Sequence, residues 1–255
     1  MDLWHINTPG PGVSPDEPRK KGLRRFIELF FRDGKQYLLA NLICLLCFLP
    51  GVVLVCFGVY SGSLPFTLLA GAVLGIPAGI ALSGLYDTIL RTLRDEAAFW
   101  WPTYRRAIRQ DLKLSVPSGA LFGATLAAMV FVIYWKQQTD PDAGAQSWAG
   151  IMLYCLLFTM LFTGLLPQLA VLDVSFGRLI KNSVFFMIGY LPRVALAAAL
   201  ELVYWGATAA LFPYSTIFLP LLGFWFITLI CCMIVYPPLD STYHIEETLR
   251  QRAEQ

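Results

Sequence analysis

Glu201 is the one ionisable residue that falls deep inside an apolar stretch of this chain. A charge at the centre of a bilayer costs about 3 kcal/mol or more, so such a residue is a candidate intramembrane functional site, a proton- or substrate-linked carboxylate. The alternative is a hydrogen-bonded structural glutamate. On a helix Ala197, Ala198, Tyr204, Trp205 and Thr208 share its side, a small and polar-aromatic face suited to other helices rather than to lipid. Arg193 lies about 12 Å away along the axis of a straight helix and cannot pair with it there.

A second constellation is basic. Arg105, Arg106, Arg109 and Lys113 form a stripe beside Tyr104, Ile108 and Leu112, which recur at i, i+4 and i+8. With Pro102 favoured in a first helical turn, 102–113 is expected to be a docking helix on the membrane surface. Its stripe would meet anionic lipid headgroups or an acidic surface on a partner, with Trp100 and Trp101 as interfacial anchors.

Small residues make a third pattern. Gly71, Gly75, Gly79 and Ser83 recur every four residues, as do Ser115, Gly119, Gly123 and Ala127. In lipid such spacing lets helix backbones approach closely, so these positions are expected to pack helices together; a glycine-lined substrate path is the alternative. The six cysteines all lie in apolar stretches, and Cys44-Leu45-Leu46-Cys47 matches C-x-x-C by letter only, since a redox pair needs an accessible thiol. His5 and His244 lie far from those thiols, which disfavours a metal site. No nucleotide-binding loop, nucleophile elbow or zinc-protease motif is present, and no cofactor is expected.

The elements that must position these residues follow from hydropathy. The chain has 255 residues, 57% apolar and 14% charged, with mean hydropathy +0.61. That composition excludes disorder and points to a membrane. Crossing a bilayer takes roughly 20 apolar helical residues. Spans are predicted at 37–60, 64–86, 115–135, 148–172, 194–212 and 214–236, the fifth containing Glu201, with 183–191 as an interfacial helix before it. The remaining inner loops are too short for a soluble enzyme domain. Of the basic residues, seven precede the first span, six fall in 87–113, three in 173–193 and two after the last span, leaving Lys136 on the other side. The positive-inside rule then puts both termini in the cytoplasm.

Residues 1–22 carry four prolines and several glycines and read as an extended arm; 1–36 as a whole is the cytoplasmic arm with its amphipathic helix, and 237–255 the cytoplasmic tail. Leu23, Phe26, Ile27, Phe30 and Phe31 mark one helical face over 22–37, with Arg24, Arg25 and Glu28 largely off it, an interfacial helix leading into the first span. That first long apolar run reads as a start-transfer anchor rather than a cleavable signal. Asp87, Asp173 and Asp240 close three returning spans, giving three hairpins in weak repeat.

The run Gly84-Leu85-Tyr86-Asp87-Thr88-Ile89-Leu90-Arg91-Thr92-Leu93-Arg94-Asp95-Glu96, with Trp101-Pro102-Thr103-Tyr104-Arg105-Arg106 after it, resembles the bacterial YesL-like membrane proteins of unknown function. The shared features are a small-residue helix end, an aromatic, a basic segment, R-[DE]-E, and an aromatic, Lys/Arg-rich helix. Members can also begin with an arm similar to Asn7-Thr8-Pro9-Gly10-Pro11-Gly12-Val13-Ser14. Ile76-Pro77-Ala78-Gly79 stands where that family usually carries G-P-A. The resemblance assigns no catalytic residues. It implies a bacterial cytoplasmic-membrane protein, often encoded beside carbohydrate ABC-transport and glycan-degradation genes.

The expected protein is all-α and polytopic, with six transmembrane helices arranged as three hairpins, and is not an enzyme. Its expected role is that of an accessory or regulatory interaction subunit connected with carbohydrate uptake. Membrane lipids and a membrane transport complex are the expected partners, and nucleic acid is not. The alternatives are a small membrane transporter using Glu201 and, third, a lipid-modifying intramembrane enzyme.

Overall fold

The computed structural model describes residues 19–96, 99–142 and 144–248. Residues 1–18 of the arm expected over 1–22, and residues 249–255 of the tail, lie outside the described residues. Among the described residues seven α-helices follow one another: α1 (Gly22–Tyr60), α2 (Leu64–Leu93), α3 (Trp100–Thr139), α4 (Ala145–Leu169), α5 (Phe176–Gly189), α6 (Leu191–Ala210) and α7 (Leu219–Tyr243). No strand occurs among the described residues. Five of the helices, α1 to α4 and α7, are long and apolar enough to cross a membrane, and α5 with α6 would make a sixth if that bent pair is one span. Outward side chains such as Leu46 and Val203 are about 70% exposed, far more apolar surface than a water-facing protein presents.

Helix boundaries depart from the hydropathy reading in three places. The amphipathic stretch 22–36 and the span after it form one helix, and so do 102–113 and 115–135. No proline or glycine stops either chain between its polar and apolar parts, because Pro117 sits inside α3 and is tolerated there. The stretch 183–191 is divided: α5 ends at Gly189 and α6 leaves it at 102°. Before α7 lies a 3-10 turn, Tyr214–Ile217.

Helix α1 is not straight. Phe26 lies against Phe226 and Phe48 against Phe224, positions two apart in α7. A straight helix would hold Phe26 and Phe48 about 33 Å apart, so α1 curves and its first turns lean over the bundle.

Helix α2 is central, packing on α1, α3, α4 and α7. From Ala81 to Leu93 every residue is buried except Arg91, which is half-buried, and the burial takes in the polar Ser83, Asp87, Thr88 and Thr92. Leu85, Ile89 and Leu90 meet Leu165 and Leu169 of α4, Leu179 of α5 and Leu229 of α7 in one core. That core lies toward the end of the bundle where α1 begins and α2 stops, here called the charged end.

The α2–α3 contact is made by glycine. A methyl group built on Gly75 would overlap the Gly119 carbonyl oxygen, and one on Gly79 would overlap the Gly119 Cα. One on Gly71 would come within 2.5 Å of both the Gly123 carbonyl oxygen and the Ala127 Cβ. The opposing atoms are mostly backbone and cannot rotate away, so the seam is fixed by the absence of side chains. We predict that Gly75→Leu costs about 1–3 kcal/mol of stability, as in an overpacked core, and so lowers the detergent melting temperature, whereas Leu69→Ile on the exposed face leaves it unchanged. An unchanged melting temperature in Gly75→Leu would show that the seam can open.

Candidate functional site

At the charged end, α2 closes with a Schellman motif. The Glu96 N–H donates to the Arg91 carbonyl and the Asp95 N–H to the Thr92 carbonyl, with Asp95 at φ +60°. Glycine is the usual residue at such a left-handed position, and aspartate is tolerated there at a cost. Its carboxylate explains the choice. Arg25 Nη2 reaches Asp95 Oδ2 at 2.7 Å, Arg32 Nη1 reaches Oδ1 at 2.7 Å, and Arg19 Nε reaches Oδ2 at 3.1 Å. Each arginine also donates to one exposed carbonyl of the helix end: Arg32 to Thr92, Arg25 to Leu93, Arg19 to Arg94. Cations and donors are both favourable at a helix C-terminus, where carbonyls lack partners. Arg19 continues to Glu246 at 2.6 Å, beyond the end of α7, and the Tyr37 hydroxyl bonds Thr92 from α1.

Arg25, expected off the apolar face and therefore in solvent, is buried in this knot, while Leu23, Ile27 and Phe31 are exposed. Burial alone would raise the Asp95 carboxyl, but hydrogen bonds from Arg25 and Arg32 outweigh it and hold the pKa below its ordinary 3.8.

The other arginines are placed differently. Arg105, Arg106, Arg109 and Lys113 are all exposed and make no ion pair among the described residues. Tyr104 and Ile108 turn inward: Tyr104 is buried against Gly84 and its hydroxyl donates to the Ala81 carbonyl, whereas Leu112 is exposed. The segment 102–113 is therefore held by α2 as part of α3, and its basic residues are carried outward. Arg178 and Lys181 on α5 are exposed as well, and α5 touches α3. The sequence reading counts these two among the inner basic residues without naming them as a site. Their spacing of three residues on a short amphipathic helix was the available signal.

Glu201 stands ten residues into α6, about 15 Å from its start. Its Oε2 lies 3.1 Å from the Thr163 hydroxyl, which also reaches the Thr159 carbonyl at 2.7 Å; its Oε1 makes no hydrogen bond among the described residues. It lines a cavity of about 280 Å³ walled by α1, α2, α3, α4, α6 and α7. The structure does not bring Glu201 to the basic stripe, which lies on α3 at the charged end. The six cysteines are free and unpaired, and no group of acidic, histidine or cysteine side chains able to hold a metal occurs among the described residues.

No family model, curated protein or solved structure matches the chain.

Because the Asp95 pKa is lowered on folding, the unfolded chain binds its proton more tightly. The stabilisation is complete above the ordinary carboxyl value and is lost as pH falls through the lowered folded value. We predict that Asp95→Asn, which keeps the shape and the left-handed backbone but not the charge, loses about 1.5–3 kcal/mol at neutral pH. The gap in melting temperature between wild type and Asp95→Asn should then close as the buffer is taken toward about pH 3. Parallel melting curves across that range would mean that Asp95 contributes nothing through its charge.

Proposed function

We propose that this protein is a non-enzymatic membrane adaptor whose basic surface on α3, continued on α5, docks an acidic face of a membrane transport complex. The observation that carries the reading is the division of its basic residues. Arg19, Arg25, Arg32, Arg91 and Arg94 are paired with carboxylates inside the fold. Arg105, Arg106, Arg109 and Lys113 are left exposed on a rigid helix whose other faces are packed. Fixed, unpaired, like charges raise the potential of a surface and speed the encounter with an opposite one. Leu112 and Trp101, both more than a third exposed beside them, supply apolar contact.

The orientation belongs to the same proposal. Concentration of Lys and Arg at the charged end places that end, and both termini, in the cytoplasm, with six spans in three hairpins. A connection with carbohydrate uptake rests on the resemblance to YesL-like proteins. Lipid headgroups are the competing target of the stripe, each basic residue contributing about 1 kcal/mol near an anionic surface.

The test is Arg105→Gln with Arg106→Gln and Arg109→Gln in one chain, purified in mild detergent beside wild type. Transport subunits that copurify with wild type should fall at least tenfold in the triple variant, while a topology reporter after Asp142 still reads outside. Equal recovery of the same proteins from both chains would sink the docking proposal and leave the stripe to lipid.

A further inference from the structure

The cavity beside Glu201 has walls that say what would fill it. Tyr86, Phe158, Phe162, Trp205 and Phe224 supply aromatic rings, and Glu201 is the only acidic or basic side chain among its described lining residues. Of the wall's other polar groups, the Thr159 hydroxyl is committed to the Cys155 carbonyl. Among the described residues Glu201 Oε1 has no hydrogen-bond partner, while Oε2 lies 3.1 Å from the Thr163 hydroxyl. A second cavity of about 130 Å³ adjoins the first through Phe48, Val52, Phe122 and Leu126, and has no charged lining residue. It runs along α1 to Cys56 and along α3 to Val130, away from the charged end.

These features discriminate between ligand classes. A sugar would find too few donors and acceptors to replace its water, a cost of several kcal/mol for unpaired polar groups. An anion would meet Glu201 with like charge. A bare acyl chain would fill the apolar arm yet leave the carboxyl unpartnered. A positive charge carried on an apolar body satisfies both parts, because a cation is attracted to aromatic faces as well as to a carboxylate in low dielectric. We infer that the two adjoining cavities are a binding site for a lipophilic monocation, its charge against Glu201 among the rings and its apolar body toward the second cavity. The inference concerns binding alone and does not depend on the adaptor reading.

The experiment uses the full chain in lipid nanodiscs and radiolabelled tetraphenylphosphonium as the probe, with empty nanodiscs subtracted. Wild type should bind it saturably with one site per chain. Unlabelled probe should displace the label, and triphenylphosphine oxide, apolar but uncharged, should not. Glu201→Gln should weaken binding at least tenfold, and Leu126→Trp, whose larger side chain would, with the carboxyl intact, crowd both cavities that Leu126 lines, should weaken it similarly. Should Glu201→Gln fail to fold, the Leu126→Trp and triphenylphosphine oxide arms still decide. Absence of saturable binding to wild type, undiminished binding to a folded Glu201→Gln or Leu126→Trp chain, or displacement by the neutral compound would each overturn the site.

Discussion

One carboxylate, that of Asp95, holds the charged end together. Three arginines from the N-terminal side converge on it, and each also donates to a carbonyl at the end of α2, those of Leu93 and Arg94 having no backbone partner among the described residues. The arrangement solves two problems at once. A long helix leaving the apolar layer needs partners for its last carbonyls, and an amphipathic segment needs something to fix where it lies. Left-handed backbone at Asp95 aims the carboxylate back toward those arginines, a geometry that glycine would adopt more cheaply without supplying a charge. Because Arg19 passes the connection on to Glu246 behind α7, the starts and ends of three helices are tied at one level.

The apolar layer obeys a related constraint: backbone polar groups there must be satisfied within the protein. Helix α7 breaks at Gly223, where φ −35° and ψ −114° leave the helical region. Asn41 on α1 repairs the break, its Nδ2 donating to the Leu219 and Pro220 carbonyls and its Oδ1 accepting from the Phe224 N–H. The Tyr204 hydroxyl lies within bonding distance of the Leu222 and Gly223 carbonyls. A side chain at Gly223 would collide with Asn41, so the glycine and the asparagine require each other. This patched break forms one wall of the Glu201 cavity, through Phe224. Asn41 and Tyr204 thus use polar side chains to close a backbone gap in the bundle.

Local sequence carries what depends on one helix at a time. Apolar runs located the long helices, and four-residue spacing singled out Gly71, Gly75, Gly79, Gly119 and Gly123, which meet across α2 and α3. What depends on several elements was not legible. Arg25 looks like a solvated residue because helical periodicity describes one face, and its burial comes from α2 arriving at that face. Arg94-Asp95-Glu96 was visible as a motif, but its role needs the register of α1 against α2. Asn41, uncharged within an apolar run, gives no signal until the break in α7 is known. The cavity likewise draws its wall from six helices, so only Glu201 marked it in advance.

The account places Asp95 at the centre, and hydrogen–deuterium exchange tests that placement most directly. Comparing wild type with Asp95→Asn at neutral pH, amides over 22–33 and those at the end of α2 should exchange at least tenfold faster in the variant. Amides along the glycine seam of α2 and α3 should be unchanged. Equal protection of 22–33 in both chains would show that apolar contacts alone hold the first turns of α1, and would contradict the central role given to the Asp95 carboxylate.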